Sequence, residues 1–329
     1  MNKGYYYKFR REVFFTELTN RLKKRFIKDY SLPIPLTDSP YFEYFIDLYD
    51  EMFETKKKLA WFMEIVNRFE DESEVLDYLS SITDKAFNSI KVLDEYQRFI
   101  SYDMNEFRVN SQYPKNSIFK VNNTGKTLIS IDLSKANFQA MNYFDKEILK
   151  AATYKEFISK FTSEEYIINS KYIRQIIFGN LNSKRLATVE RFMMEKILVE
   201  LKSRLDIPTE CILMVSDDEI VLEGTVEDYY KVVSILDNFE FDVAVEVFVL
   251  KTLRKETGEA FKSEKFFVKE FIDYTDEKSV NFEIKATDST FYSQFYKLVT
   301  NSEICENDLV FINEGFVAKY KDKISGEIC

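Results

Sequence analysis

The sequence predicts an α+β protein in three regions: an α-helical region over residues 1–110, a central region over 111–253 where strands and helices alternate, and a mixed α/β region over 254–329. Three observations predict it. Apolar residues recur at helical spacing from residue 41 onward, with Phe45, Leu48, Phe53, Leu59 and Phe62 among them. Beyond residue 110 lie runs of strand-forming residues at 127–132, 211–215, 220–222 and 241–253. Only 7 Gly and 5 Pro in 329 residues, against 31 Phe and 21 Tyr, favour packed helices over tight loops.

In chain order, residues 10–29 read as a basic helix with interleaved aromatics, and the three prolines within 31–40 mark a linker or an ordered crossing loop. Residues 41–70 read as one long amphipathic helix, and two more follow over 73–105. Residues 117–121, 122–126 and 127–132 read as strand, turn and strand. A helix over 134–150, a further segment at 154–161 and a helix over 164–178 follow. A long amphipathic helix over 183–205 is ended by Asp206-Ile-Pro208. Residues 211–215 and 220–222 flank Ser216-Asp217-Asp218-Glu219, a tight hairpin with consecutive carboxylates at its tip. A helix over 226–238 leads to an alternating strand over 241–253, and strands near 265–273, 280–286, 309–313 and 316–321 surround a helix at 290–300.

The chain has no histidine. This excludes Ser-His-Asp and Cys-His catalysis, histidine-ligated zinc and phosphohistidine chemistry, which leaves carboxylates, Lys, Tyr or metals. Cys211, Cys305 and Cys329 are odd in number and widely spaced, so they predict neither a disulfide framework nor a zinc ribbon and fit a reducing compartment. The N-terminus lacks the apolar core of a signal peptide, and no apolar run is long enough for a membrane span. The expectation is a cytoplasmic protein without a membrane partner.

Charge is unevenly spread. The formal net charge is -10, yet residues 1–30 carry nine Lys/Arg against three acids, and residues 168–204 carry eight against three. Such clusters are ordinary solvated helix faces, or surfaces for a polyanion.

Three adjacent acids repel one another, a cost that is small in a solvated turn and useful where divalent cations reverse it. A second acid, Asp132, ends the strand 127–132. If the two strands are neighbours in one sheet, Asp132 converges with Asp217 and Asp218 into a two-metal site, for which carboxylate oxygens favour Mg2+ or Mn2+.

Strand-Asp, basic helix, long helix and acidic hairpin, in this order, resemble the palm of right-hand nucleic-acid polymerases over about residues 115–253. Asp132-Leu-Ser-Lys-Ala-Asn-Phe-Gln139 is similar to motif A of family A DNA polymerases, although Asn137 and Gln139 stand where Glu and Arg are usual; Gln at the latter position resembles the phage-type single-subunit RNA polymerases. Lys171-Tyr-Ile-Arg174-Gln-Ile-Ile-Phe178-Gly179 resembles the nucleotide-binding helix of family A, without its usual Tyr, since Asn182 stands there. Asp217-Asp218-Glu219-Ile-Val resembles the His-Asp-Glu-Ile-Val motif, with Asp218 as the metal ligand. The tandem Asp217-Asp218 and the compact spacing from Asp132 also resemble reverse transcriptases, in which Asp217 would be the principal ligand.

The resemblance implies a right-hand polymerase-like palm and a template-directed nucleotidyltransferase with Asp132, Asp217, Asp218 and Glu219 as catalytic carboxylates. It implies that Asp132, Asp217 and Asp218 hold metal, that Lys171, Arg174, Lys184 and Arg185 hold phosphates, and that Asn137 and Phe178 lie near the sugar and base of the incoming nucleotide. Its partners would be nucleic-acid template and product and nucleoside triphosphates. Alternatives from the same residues are the catalytic subunit of a split phage-type RNA polymerase with a second polymerase subunit, a reverse-transcriptase-like enzyme, a nuclease using the same acids, and a non-catalytic interaction subunit. Each residue also has a plainer reading: Asp132 as a helix-start Asp, Phe178 as core, and the acidic tip as a solvated turn.

Overall fold

A computed structural model describes residues 18–109, 112–254, 266–272 and 280–329. The N-terminal part is helical: α1 (Asn20–Asp29), α2 (Tyr41–Leu48), α3 (Asp50–Phe53), α4 (Thr55–Val66), α5 (Glu72–Lys91) and α6 (Asp94–Ser101). In α5 the Asp71 carboxylate caps the first turn, accepting from Ser73 N at 2.8 Å and Glu74 N at 3.0 Å. Its Val75, Leu79, Ile82, Ala86 and Ile90 then form one buried stripe.

The long helix expected over 41–70 is three helices. Glu54 takes a left-handed conformation at φ 49°, the Asp50 carboxylate accepts from Lys56 N at 2.9 Å, and the Thr55 hydroxyl donates to Ile46 O at 2.5 Å. Short polar side chains here offer the backbone an alternative to the helical ladder. The residues of the basic N-terminal helix before Leu18 lie outside the described residues.

The central region begins with β1 (Thr127–Leu133), followed by α7 (Ala136–Phe144), α8 (Lys146–Leu149), α9 (Tyr154–Ile158), α10 (Glu165–Ile168), α11 (Lys171–Gly179) and α12 (Ser183–Arg204). Residues 117–121, expected as a strand, instead run into a short 3-10 turn at Val121–Asn123. Asp145 separates α7 from α8 by capping the latter, and Ser170 caps α11 by accepting from Ile173 N at 3.1 Å. The expected helices over 134–150 and 164–178 are therefore each broken at a capping residue. The hairpin β2 (Ile212–Val215) and β3 (Glu219–Glu223), then α13 (Val226–Leu236) with a Thr225/Asp228 capping box, lead to β4 (Val243–Arg254). There follow β5 (Phe267–Phe271), β6 (Phe282–Lys285), α14 (Ser289–Val299), β7 (Val310–Asn313), β8 (Phe316–Lys319) and β9 (Glu327–Ile328).

The main sheet is antiparallel in the order β2-β3-β1-β4-β5-β6, with β9 also on β4, while β7 and β8 form a separate ribbon. From β1 through the hairpin and α13 to β4 the connectivity is that of a split βαβ unit. Alternation sorts the two faces. Ile129, Ile131, Leu133, Ile220, Leu222 and Val247 enter the large core shared with α7 and α12, whereas Leu128, Val221, Phe248, Leu250 and Phe267 build a small cluster on the opposite face. Asp132 and Ser130 share that second face with Leu128.

Gly326 lets the C-terminal chain lie against β4. Its φ is +152°, and a Cβ there would stand 2.3 Å from Arg254 O. Gly326→Ala is expected to pull β9 off β4 and lower stability by about 1–3 kcal/mol, read by urea denaturation.

Candidate active site

Register brings the two predicted acidic elements together. β1 and β3 are neighbours, Asp132 lies directly opposite Glu219, and Leu133 N donates to Asp218 O at 2.8 Å. The tip is held by Ser216, whose N donates to Glu219 O at 2.8 Å and whose hydroxyl oxygen accepts from Glu219 N at 2.9 Å. The carboxylates are thus presented by backbone pairing, not by flexible loops.

The acids differ in what surrounds them. Asp217 forms an ion pair with Arg191, which donates Nε–H at 2.9 Å and a second bond from Nη2. Glu219 accepts from the Ser130 hydroxyl at 2.5 Å and lies 3.8 Å from the nearly buried Lys269 ammonium. Asp218 accepts only from the neighbouring Ser216 hydroxyl, at 3.2 Å, and the Asp132 carboxylate has no hydrogen bond or ion pair among the described residues. Partial burial raises Asp132 to about 6, with Asp218 and Glu219 adding to the rise and Lys171 and Lys269 opposing it.

A further acid escaped the sequence reading. Glu190 on α12 is 6% exposed, and burial, then Asp218 and Asp217, push it up to about 7, while a hydrogen bond from Asn137 Nδ2 at 3.0 Å pulls it down. Its signal was legible: one acid within the apolar stripe Leu186, Val189, Met193, Ile197. From its ordinary value of 4.5 up to about 7, the folded chain keeps a proton there that the unfolded chain has released, so this contribution to stability falls as pH rises through that window. Glu190→Gln is therefore expected to be the more stable protein at pH 8, by about 2–3 kcal/mol, with the gap closing toward pH 4.5 in paired denaturation curves.

The basic helix α11 buries Ile173, Ile177 and Phe178 and carries Lys171 and Arg174, both of which act electrostatically on Asp132. The Arg174 guanidinium lies 5.6 Å from the centre of the Tyr154 ring, and its buried Nε has no hydrogen-bond partner among the described residues. Phe178 is fully buried, with ring centres of Phe138, Tyr154 and Phe157 at 6.1–6.3 Å, so the structure gives it a core position. Asn137 is engaged by Glu190, and Gln139 bridges α7 to the start of β4, donating to Asp242 O at 2.7 Å and accepting from Asp242 N at 3.0 Å.

Lys184 and Arg185 open α12. Lys184 is exposed, and Arg185 donates to Phe99 O at 3.2 Å and Tyr102 O at 2.7 Å, tethering the end of α6. Neither forms an ion pair with the carboxylates of the hairpin. On α1, much of the positive charge is spent internally, through Arg21–Glu72, Lys23–Glu43 and Arg25–Asp29. Among the described residues, no three acidic or cysteine side chains gather into a ready metal cage, and no helix is long and apolar enough to cross a membrane.

Searches with models of protein families, curated proteins and solved structures found no match to this chain.

Proposed function

We propose that the chain is a metal-dependent nucleotidyltransferase that extends a nucleic-acid strand along a template from a palm-like sheet. The observation that carries this reading is the pairing of β1 with β3, which brings Asp132 and Asp218 together as hairpin-site acids that form no salt bridge among the described residues. The split βαβ order around them supports it.

The donor set suits Mg2+ or Mn2+: hard carboxylate oxygens, two in number, as expected where substrate phosphates and water complete the coordination. Asp132 and Asp218 would hold these ions, and the chemistry the ions supply is activation of a 3′ hydroxyl and neutralisation of phosphate charge. Lys171 and Arg174 would meet the triphosphate from α11, where both act electrostatically near Asp132. The ion pair with Arg191 favours Asp218 over Asp217 as the metal ligand, and so the family A reading of the hairpin over the reverse-transcriptase one.

The test is extension of a labelled primer on DNA and RNA templates, with dNTPs and NTPs in turn, in Mg2+ or Mn2+. Extension by the wild type that disappears in Asp218→Asn supports the assignment. Extension that survives in this variant overturns it.

A further inference from the structure

Lys269 lies on β5, outside the acidic hairpin and the basic helix. Its side chain is 7% exposed, and its ammonium stands 3.8 Å from both Glu219 and Glu246 and 4.6 Å from the centre of the Phe248 ring. Ser130 faces Glu246 across β1 and β4, and its hydroxyl donates to Glu219. Four strands thus contribute to one row, Glu219, Ser130, Glu246 and Lys269, on the face that carries Asp132. A lysine taken out of water at this spot is stabilised only by such a row of acids and an aromatic face.

We infer that Lys269 is a positioning residue that withholds Glu219 from the cation site, leaving Asp132 and Asp218 as its two protein donors. The inference rests on the proposed two-metal reading and assigns a division of labour within it. Glu219 is the nearest competitor, directly opposite Asp132 in the register. With its charge countered by Lys269 and one oxygen engaged by Ser130, it belongs to the ion-pair row. Arg191 does the same for Asp217 from the helix side. Without Lys269, the Glu219 charge would no longer be countered, and the site would bind cations more tightly with a displaced donor set.

The experiment is Mn2+ binding to the full chain, followed by electron paramagnetic resonance and calorimetry and read separately from activity. Lys269→Met is expected to tighten Mn2+ binding by about tenfold. Lys269→Arg restores the wild-type affinity, and Lys269→Met combined with Glu219→Gln returns it to near the wild-type value. Glu219→Gln alone, which does not depend on Lys269→Met folding, leaves Mn2+ affinity within about twofold of wild type, whereas Asp218→Asn weakens it by at least about tenfold. Weakening by Glu219→Gln as large as that by Asp218→Asn, or unchanged affinity in a folded Lys269→Met, overturns the role of Lys269 while the cation site stands. A wild type that binds no Mn2+ at millimolar concentration overturns both this inference and the reading on which it rests.

Discussion

Asp132→Asn and Asp218→Asn are each expected to lower the rate of primer extension by about 10²–10³-fold or more, with Asp217→Asn costing only about tenfold. The inequality follows from the surroundings of the three acids. Asp217 gives an oxygen to Arg191 in a two-pronged contact, so its removal releases an arginine at a half-exposed position. Among the described residues Asp132 and Asp218 have no such partner, and Asp218 adds to the cost of charging Asp132, a repulsion that a bound cation would reverse. Single-turnover extension, with substrate saturating, separates loss of the chemical step from loss of binding. Equal losses for Asp217→Asn and Asp218→Asn would remove the assignment of Asp218 as the principal ligand. Lys171→Ala and Arg174→Ala belong to the same set and should raise KM for the triphosphate more than they lower kcat.

The second large effect concerns how α11 is held. Asp29 ends α1 fully buried, accepting from Arg25 at 2.8 Å and from the Tyr166 hydroxyl at 2.8 Å, while its backbone carbonyl accepts from the Ser170 cap of α11 at 2.9 Å. Tyr30 adds a bond from its hydroxyl to Tyr166 O at 3.0 Å. Burial pushes the Asp29 carboxyl above the ordinary range, and Arg25 and Tyr166 pull it back. Asp29→Ala leaves both donors facing an apolar gap and is expected to cost about 3–5 kcal/mol in urea denaturation. Asp29→Asn, which keeps an acceptor for Tyr166, should cost visibly less. Because the same residues seat the start of α11, a folded Asp29→Asn should also bind triphosphate more weakly, through Lys171 and Arg174, without touching it. Equal stability of the two variants would show that the hydrogen bonds in this cluster carry no weight.

Much of this architecture was legible from one dimension. Alternating apolar residues and turn chemistry placed β1, the acidic hairpin, β4 and α12 within a residue or two of their observed bounds, because each buries a regular face and such periodicity survives in any tertiary setting. The mixed α+β class and the meeting of Asp132 with the hairpin acids were legible too. Helix interruptions were not. At Asp50, Asp145 and Ser170 a local side chain that takes a backbone N–H competes with an unbroken apolar pattern, and which of them wins depends on what the next helix packs against.

The sorting of the acids lay wholly in the third dimension. Nothing in the order of residues links Arg191 to Asp217, or Lys269 to Glu246 on the neighbouring strand and to Glu219 three strands away. Asn137 and Phe178 carry motif positions, yet one is engaged by Glu190 and the other is sealed among aromatic rings. Spacing along the chain reports which residues share a face. Whether a charge on that face is free or already neutralised depends on partners far away in sequence, because electrostatic interaction follows distance in space, and only the packed sheet sets those distances.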